Sequence, residues 1–185
     1  MLDMDPIYET GVAVAEAEAA PDAVRVRAAH PDDLAAVLAI RNDAVATSTA
    51  LWTETPQTPA EGAAWFAGFL EKDAAFVAEY AGEVVGFGVY CPWRPLEGFR
   101  HSAENSVYVR GDRHGLGIGT ELLAVLIAAA RQAGYHLMIA DIEAGNTASI
   151  RLHERFGFEN VGTVREVGTK FGRWLDLTIM RLQLS

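Results

Sequence analysis

Cysteine is nearly missing from this chain of 185 residues, and the single Cys91 excludes an intrachain disulfide or a cysteine-built metal cluster. No apolar run approaches the roughly 20 residues a bilayer span requires. The longest, Leu122 to Ala130, ends at Arg131, so no membrane partner is expected. Where a secretory signal would place positive charge and then an apolar stretch, the chain has Asp3, Asp5 and Glu9, which predicts a cytoplasmic protein. The histidines, His30, His101, His114, His136 and His153, show neither helical ligand spacing nor the pairing of a zinc site, and no bound metal is expected. Positive charge is also scarce. With 15 Lys and Arg against 25 Asp and Glu, the net charge of -10 leaves no basic face to displace counterions from phosphates, which excludes a nucleic-acid partner.

The acidity is unevenly placed. Six carboxylates (Asp3, Asp5, Glu9, Glu16, Glu18, Asp22) precede Arg25 with no Lys or Arg among them. Residues 1–23 are rich in Ala and Glu, carry no strand pattern and reach Pro21, so they read as an appendage to one domain spanning 24–185. A short helix docked on the domain or on a partner is the other reading. From Val24 the pattern is ordered. Alternation over Val24–Arg27 predicts a strand, and Pro31-Asp32-Asp33 opens a helix with the stripe Leu34, Val37, Leu38, Val45. A second helix is predicted over Pro59–Lys72, then a hairpin of Ala75–Tyr80 and Val84–Tyr90 around Ala81-Gly82. An irregular segment, Cys91 to Phe99, precedes a strand over Ala103–Val109 and the strongest helix, which carries Leu122, Leu123, Leu126 and Ile127. A strand at Leu137–Ala140, a helix from Thr147 to Phe156 stopped by Gly157, and two closing strands, the last Trp174–Leu184, complete the reading. Strands mixed with helices and hairpins predict an α/β layer fold with a mixed sheet.

The most informative stretch joins the strand ending in Val107-Tyr108-Val109 to that strongest helix through Gly115-Leu116-Gly117-Ile118-Gly119-Thr120. Glycines lack a Cβ, so backbone N–H groups can converge on a ligand at the positive end of the helix dipole, which suits a pyrophosphate. Close packing alone can also place glycines before a helix. A P-loop is excluded for want of Gly-Lys-Ser/Thr, and a dinucleotide fold by glycine spacing and by the several strands that come first.

With this turn the sequence resembles the GNAT superfamily of N-acetyltransferases over nearly everything from Val24 onward. His114-Gly115-Leu116-Gly117-Ile118-Gly119 matches the family's Gln/Arg-x-x-Gly-x-Gly/Ala turn, with His114 departing from Gln/Arg. Three runs, Arg100–Val109, Gly145–Glu154 and Val167–Asp176, narrow the likeness to the phosphinothricin and methionine sulfone/sulfoximine acetyltransferases. The resemblance implies a mostly antiparallel central sheet flanked by helices on both faces, acetyl-CoA as co-substrate, and a homodimer. It implies that Val107, Tyr108, Val109, His114, Gly115, Leu116, Gly117, Ile118, Gly119, Thr120, Asn146 and Ser149 contact the cofactor, with Asn146 bonding the pantetheine arm.

Acetyl transfer to an amine needs the neutral amine, while a free α-amino group with pKa near 8 is mostly protonated at neutral pH. A base is required. Glu104 shares its strand face with Ser106 and Tyr108, and the resemblance makes it the proposed general base; a surface glutamate, or one paired with Arg100, is the bland reading. His153 shares a helical stripe with Asn146 and Ile150, and the resemblance places it where many relatives have the Tyr that protonates the departing thiolate. A buried structural histidine is its alternative. Cys91 has no adjacent base to activate it, so direct transfer in a ternary complex is expected. For a small amino-acid acceptor, Arg94 and Arg100 offer guanidinium forks to the carboxylate, with Trp52, Trp93 and Phe99 as walls. The competing functions are acetylation of protein N-termini or polyamines, and a non-catalytic acetyl-CoA sensor.

Overall fold

The computed structural model describes residues 23–185, and the expected N-terminal appendage lies almost entirely outside the described residues. Seven strands form one sheet in the order β1-β2-β3-β4-β5-β7-β6. They are β1 (Arg25–Ala28), β2 (Ala75–Tyr80), β3 (Glu83–Pro92), β4 (Ser102–Val109), β5 (Leu137–Glu143), β6 (Glu159–Lys170) and β7 (Arg173–Gln183). The helices are α1 (Leu34–Thr47), α2 (Pro59–Leu70), α3 (Ile118–Gln132) and α4 (Thr147–Arg155). Every neighbouring pair is antiparallel except β4 and β5.

Local chemistry sets the starts of α1 and α2. Asp33 closes a 3-10 turn before α1, its carboxylate taking the His30 N–H at 2.7 Å and a two-pronged bond from Arg27 at 2.7 and 2.8 Å. The Asp33 carboxyl is held below its ordinary range first by that Arg27 bond. Before α2, Thr58 and Glu61 form a reciprocal cap, the Glu61 carboxylate accepting the Thr58 N–H at 2.8 Å.

Apolar residues divide between the two faces of the sheet. Val37, Ile40 and Phe66 of α1 and α2 pack on Val77, Phe87 and Val89. On the other face Leu123, Leu126 and Ile127 of α3 pack on Ala103, Met138 and Ala140, with Ile150 and Leu152 of α4 alongside. α3 comes so close that a Cβ on Gly88 would lie 2.8 Å from Leu126 Cδ1. The expected mixed, mostly antiparallel sheet with helices on both faces is what forms.

Many element ends shift by one or two residues, and three of the differences have a clear cause. β3 continues through Cys91 and Pro92, which the sequence reading gave to an irregular segment, because they pair with Glu104 and Ala103. β5 runs to Glu143 rather than Ala140, pairing with β7 along its whole length. The helix opened by Pro31 is a 3-10 turn until Leu34.

The feature that positions the site is a fork. β4 and β5 pair only from Ser102, Ala103 and Glu104 to Leu137, Met138 and Ile139. Beyond that their facing rims part, and the Asn105 side chain takes over where the ladder stops, donating Nδ2–H to the Ile139 carbonyl at 3.0 Å.

Candidate active site

At the fork lies a cleft of about 280 Å³ lined by Trp52, Glu104 to Tyr108, Ala140 to Glu143, Asn146, Ser149 and His153, with Ala50, Leu51 and Leu177. At the outer end of β4 the chain turns through Gly115 and Gly117 into α3. Both glycines have left-handed backbones, φ 83° and 79°, and a Cβ on either would meet nothing within 4 Å. The turn is therefore open above its backbone; the Thr120 and Glu121 N–H groups bond the Gly117 carbonyl at 2.9 and 3.1 Å, while those of Ile118 and Gly119 have no carbonyl within the helix. Gly119 also has a packing reason to lack a side chain. A Cβ there would sit 3.3 Å from Leu152 Cδ2, so its smallness lets α4 approach α3. His114 points back, its Nε2 donating to the Val109 carbonyl at 3.2 Å. Leu116 is exposed, Ile118 is buried under the turn, and Thr120 accepts from Arg155 at 3.5 Å.

Strand parity explains which groups meet in the cleft. Ala103 and Val107 lie on the α3 face, so Glu104, Ser106 and Tyr108 lie on the α1/α2 face, where the Tyr108 ring stacks on Phe87 at 4.9 Å between centroids. Glu104 pairs with Ile139, and Asp141, two residues further along β5, shares that face as its diagonal neighbour. Half-withdrawn from water, Glu104 has its pKa raised to about 7, first by burial and then by the charge of Asp141, with Arg94 opposing. Asp141 is raised as well, chiefly by burial. Its Oδ2 accepts a long 3.5 Å bond from Trp93 Nε1.

His153 occupies the opposite face, 3 % exposed and edge-on to Phe158. Its Nδ1 lies 2.8 Å from the Ser149 carbonyl, which can only accept, so Nδ1 carries a proton. Nε2 lies 3.1 Å from Asn105 Oδ1, the Asn105 amide nitrogen being committed to Ile139. Both ring nitrogens thus face acceptors, which favours the imidazolium, while burial pulls the pKa down and the Ser149 bond resists. Burial is the larger effect, so the ring's pKa lies below the ordinary histidine value. Asn146 caps α4, its Oδ1 accepting the Ser149 N–H at 3.1 Å, which leaves its amide nitrogen for the cleft.

Trp52 reaches the cleft from the α1–α2 loop. A long-range clamp holds it there. Lys170, 0 % exposed, donates to the carbonyls of Ser48 at 2.6 Å and Leu51 at 2.7 Å, with Ala44 at 3.5 Å. The Trp52 indole lies on Gly168 so closely that a Cβ there would meet ring atoms. Arg94 stacks on Trp93, 4.8 Å from the ring centroid, and Phe99 meets the same ring edge-on at 5.5 Å. The structure separates Arg100 from this group. It is exposed, donates to the Glu97 carbonyl at 3.2 Å, and borders a second depression with Lys72, Cys91 and His101. It makes no ion pair with Glu104, so the bland pairing named for that glutamate is absent among the described residues. Burial pushes the Cys91 thiol up, away from a reactive thiolate.

Three contributors escaped the sequence reading. Asn105 and Asp141 are polar residues inside otherwise apolar strands, a signal that was present in the alternation. Lys170 gave no local signal, since its partners lie more than 100 residues away.

Comparison with known proteins agrees with this geometry. An L-methionine sulfoximine/L-methionine sulfone acetyltransferase of Pseudomonas paraeruginosa is 51% identical over 162 residues, 86% of this chain and 94% of the relative. The solved ribosomal-protein-alanine N-acetyltransferase of Brucella melitensis superposes with TM-score 0.84 at 49% identity, covering 86% of this chain and 99% of that one. A phosphinothricin acetyltransferase of Sinorhizobium meliloti, solved in complex with acetyl-CoA, gives TM-score 0.84 at 32% identity, covering 88% and 89%. The model of the acetyltransferase (GNAT) family matches residues 37–158, and with an open glycine turn feeding a forked sheet, this chain belongs to that family and is an acetyl-CoA-dependent N-acetyltransferase.

Proposed function

We propose that the enzyme acetylates the α-amino group of a small amino-acid-like acceptor of the phosphinothricin, methionine sulfoximine or methionine sulfone type. The observation that carries this reading is the placement of Glu104 and His153 on opposite faces of the fork. α3 and α4, with the glycine turn between β4 and α3, occupy the His153 face. Acetyl-CoA lying along the turn, with its pantetheine arm against the β4 rim at Val107 and Val109 and the Asn146 amide, brings its sulfur to the His153 side. The amine then enters from the Glu104 side beside Trp52, with Trp93 next to the cleft through its bond to Asp141 and the Arg94 guanidinium stacked on Trp93 available to the acceptor's carboxylate.

The roles follow from that division. Glu104 takes one proton from the ammonium, which frees the nitrogen lone pair. As the nitrogen–carbon bond forms and the carbon–sulfur bond breaks, the second proton passes from nitrogen to solvent and sulfur takes one from the enzyme; Glu104 then releases its proton to solvent and the donor to sulfur recovers one, so that one proton is released per turnover. His153, whose Nδ1 keeps its proton toward the Ser149 carbonyl and whose Nε2 is the nitrogen that gains and loses one, is the donor on that side. No covalent acetyl-enzyme is required.

Because Glu104 titrates near 7, the base form accumulates as pH rises through that value, and turnover rises with it. Glu104→Gln is expected to lower kcat by roughly a hundredfold or more, with KM for acetyl-CoA nearly unchanged. The direct test is a thiol-release assay with acetyl-CoA and a panel of phosphinothricin, methionine sulfoximine, methionine sulfone, a peptide with N-terminal alanine, and a polyamine. Ready turnover of the peptide with none of the three amino-acid analogues would reject the acceptor named above.

The homodimer belongs to the same proposal. The β6–β7 hairpin exposes Val161, Val164, Val167, Phe171 and Trp174, the last 67% exposed, and β6 is bare on nearly all its residues. A second copy covering this hairpin is the assembly proposed. Sedimentation giving only a 20.0 kDa species would remove it.

A further inference from the structure

Asp141 is left with a problem that the reaction as described does not resolve. It stands in the middle of β5 with Ala140 and Ile142 buried on either side, and its Oδ1 is shielded from solvent with no hydrogen-bond partner. Its other oxygen has only the long bond from Trp93. An acceptor held out of water without a donor is costly, so the place is built for a donor that arrives. The residue lines the cleft and is diagonal to Glu104 on the same face of the sheet.

The charges that reach this spot are few. Around Glu104 stand Cys91, its ladder partner on β3, Arg94 beyond β3, Tyr108 further along β4, and Asp141 on β5. Arg41 on α1 faces Tyr108 and stacks on Trp65, and His153 lies across the fork. Arg94 is exposed and spread over the Trp93 ring, and it forms no ion pair with either carboxylate. Three carboxylates thus line the cleft; Glu143, further along β5, is engaged by the Thr49 hydroxyl and the Gly145 N–H, while Glu104 and Asp141 form no ion pair among the described residues.

We propose that Asp141 is the ammonium-positioning residue of the acceptor site, its free oxygen accepting an N–H from the incoming α-ammonium and holding that nitrogen beside Glu104. This rests on the reading that the acceptor is a small amine. The proton balance is simple: one N–H bond breaks and one O–H bond forms on Glu104, while Asp141 neither gains nor loses a proton. Asp141 also acts through its neighbour. A second negative charge beside Glu104 raises the proton affinity of the base, which suits it to an amine at neutral pH. Acceptors that enter neutral, such as alcohols, gain nothing from the pair, and cationic amines gain most.

Asp141→Asn keeps the shape and removes the charge, and Asp141→Ala, measured alongside, keeps a folding defect in either variant from deciding the matter. The first readout is the titration of the Glu104 carboxyl, followed by carbon-13 NMR in substrate-free protein, which needs no turnover. Its midpoint is expected to fall by about one unit in both variants. The second is steady-state kinetics. KM for the amine is expected to rise roughly tenfold or more while KM for acetyl-CoA stays put, and the acidic limb of the kcat/KM profile moves to lower pH. An unmoved Glu104 midpoint overturns the proposal, as does a rise in both KM values together, which marks a merely structural residue. If the parent enzyme acetylates none of the amines tested, the acceptor assignment fails instead, and the NMR midpoint still decides whether Asp141 tunes Glu104.

Discussion

The two ends of the cleft are made of different materials. The turn at Gly115 and Gly117 is built from main chain within a few residues of one strand and one helix. The end proposed for the acceptor is built from side chains: Glu104 on β4, Asp141 on β5 and Trp52 on the α1–α2 loop, with Trp93 bonded to Asp141, Arg94 stacked on Trp93, and Lys170 at the end of β6 holding the loop. A binding surface of backbone tolerates almost any side chain provided the conformation is kept. One of side chains depends on each identity and on distant supports. The first suits a co-substrate held by its diphosphate, and the second suits an acceptor that must be chosen.

The difference is sharpest at Lys170. Lys170→Met would leave the Ser48 and Leu51 carbonyls, bonded at 2.6 and 2.7 Å, without their donor. The expected loss is roughly 3–5 kcal/mol of stability, read as a lower urea midpoint. With the α1–α2 loop released, KM for the amine should rise while acetyl-CoA affinity of the folded fraction holds. Equal damage to both would erase the distinction between the two ends. A smaller effect is expected at the turn. Gly117→Ala forces an L-residue to φ 79°, at a cost of about 1–2 kcal/mol, and sets a methyl where the backbone is now open. Calorimetry should show weaker acetyl-CoA binding with the amine preference unchanged. Smallest of all is Gly119→Ala, whose Cβ asks Leu152 to yield a few tenths of an ångström. The better helix propensity offsets that contact, so melting temperature and acetyl-CoA affinity should both stay close to the parent's.

The same contrast decided what could be read before the structure. Alternation and helical stripes placed every strand and helix in order, and the glycine turn announced itself because its signal is contained in about ten consecutive residues. Glu104 and His153 were legible through the resemblance of the runs that hold them, and both line the cleft. The fork was not legible. It depends on where a parallel ladder stops, which Asn105 marks by bonding Ile139 from 34 residues away. Arg100 misled because nearness in sequence to Arg94 says nothing of direction: the 3-10 turn at Glu97–Phe99 lies between them, and Arg100 caps that turn. The packing of Gly119 was not legible either, since a glycine needed for helix contact looks the same in sequence as one needed for φ.

The parted strands carry a thermodynamic consequence. A sheet ordinarily keeps its unpaired amides and carbonyls at its outer margins, but here two such margins face one another in the middle of the molecule, along Asn105–Val109 and Ala140–Glu143. Whatever slots between them completes the ladder, so a co-substrate lying there, as proposed above, is also mortar. Heat tolerance and amide-exchange protection at the centre of the protein would then rise with the acetyl-CoA concentration.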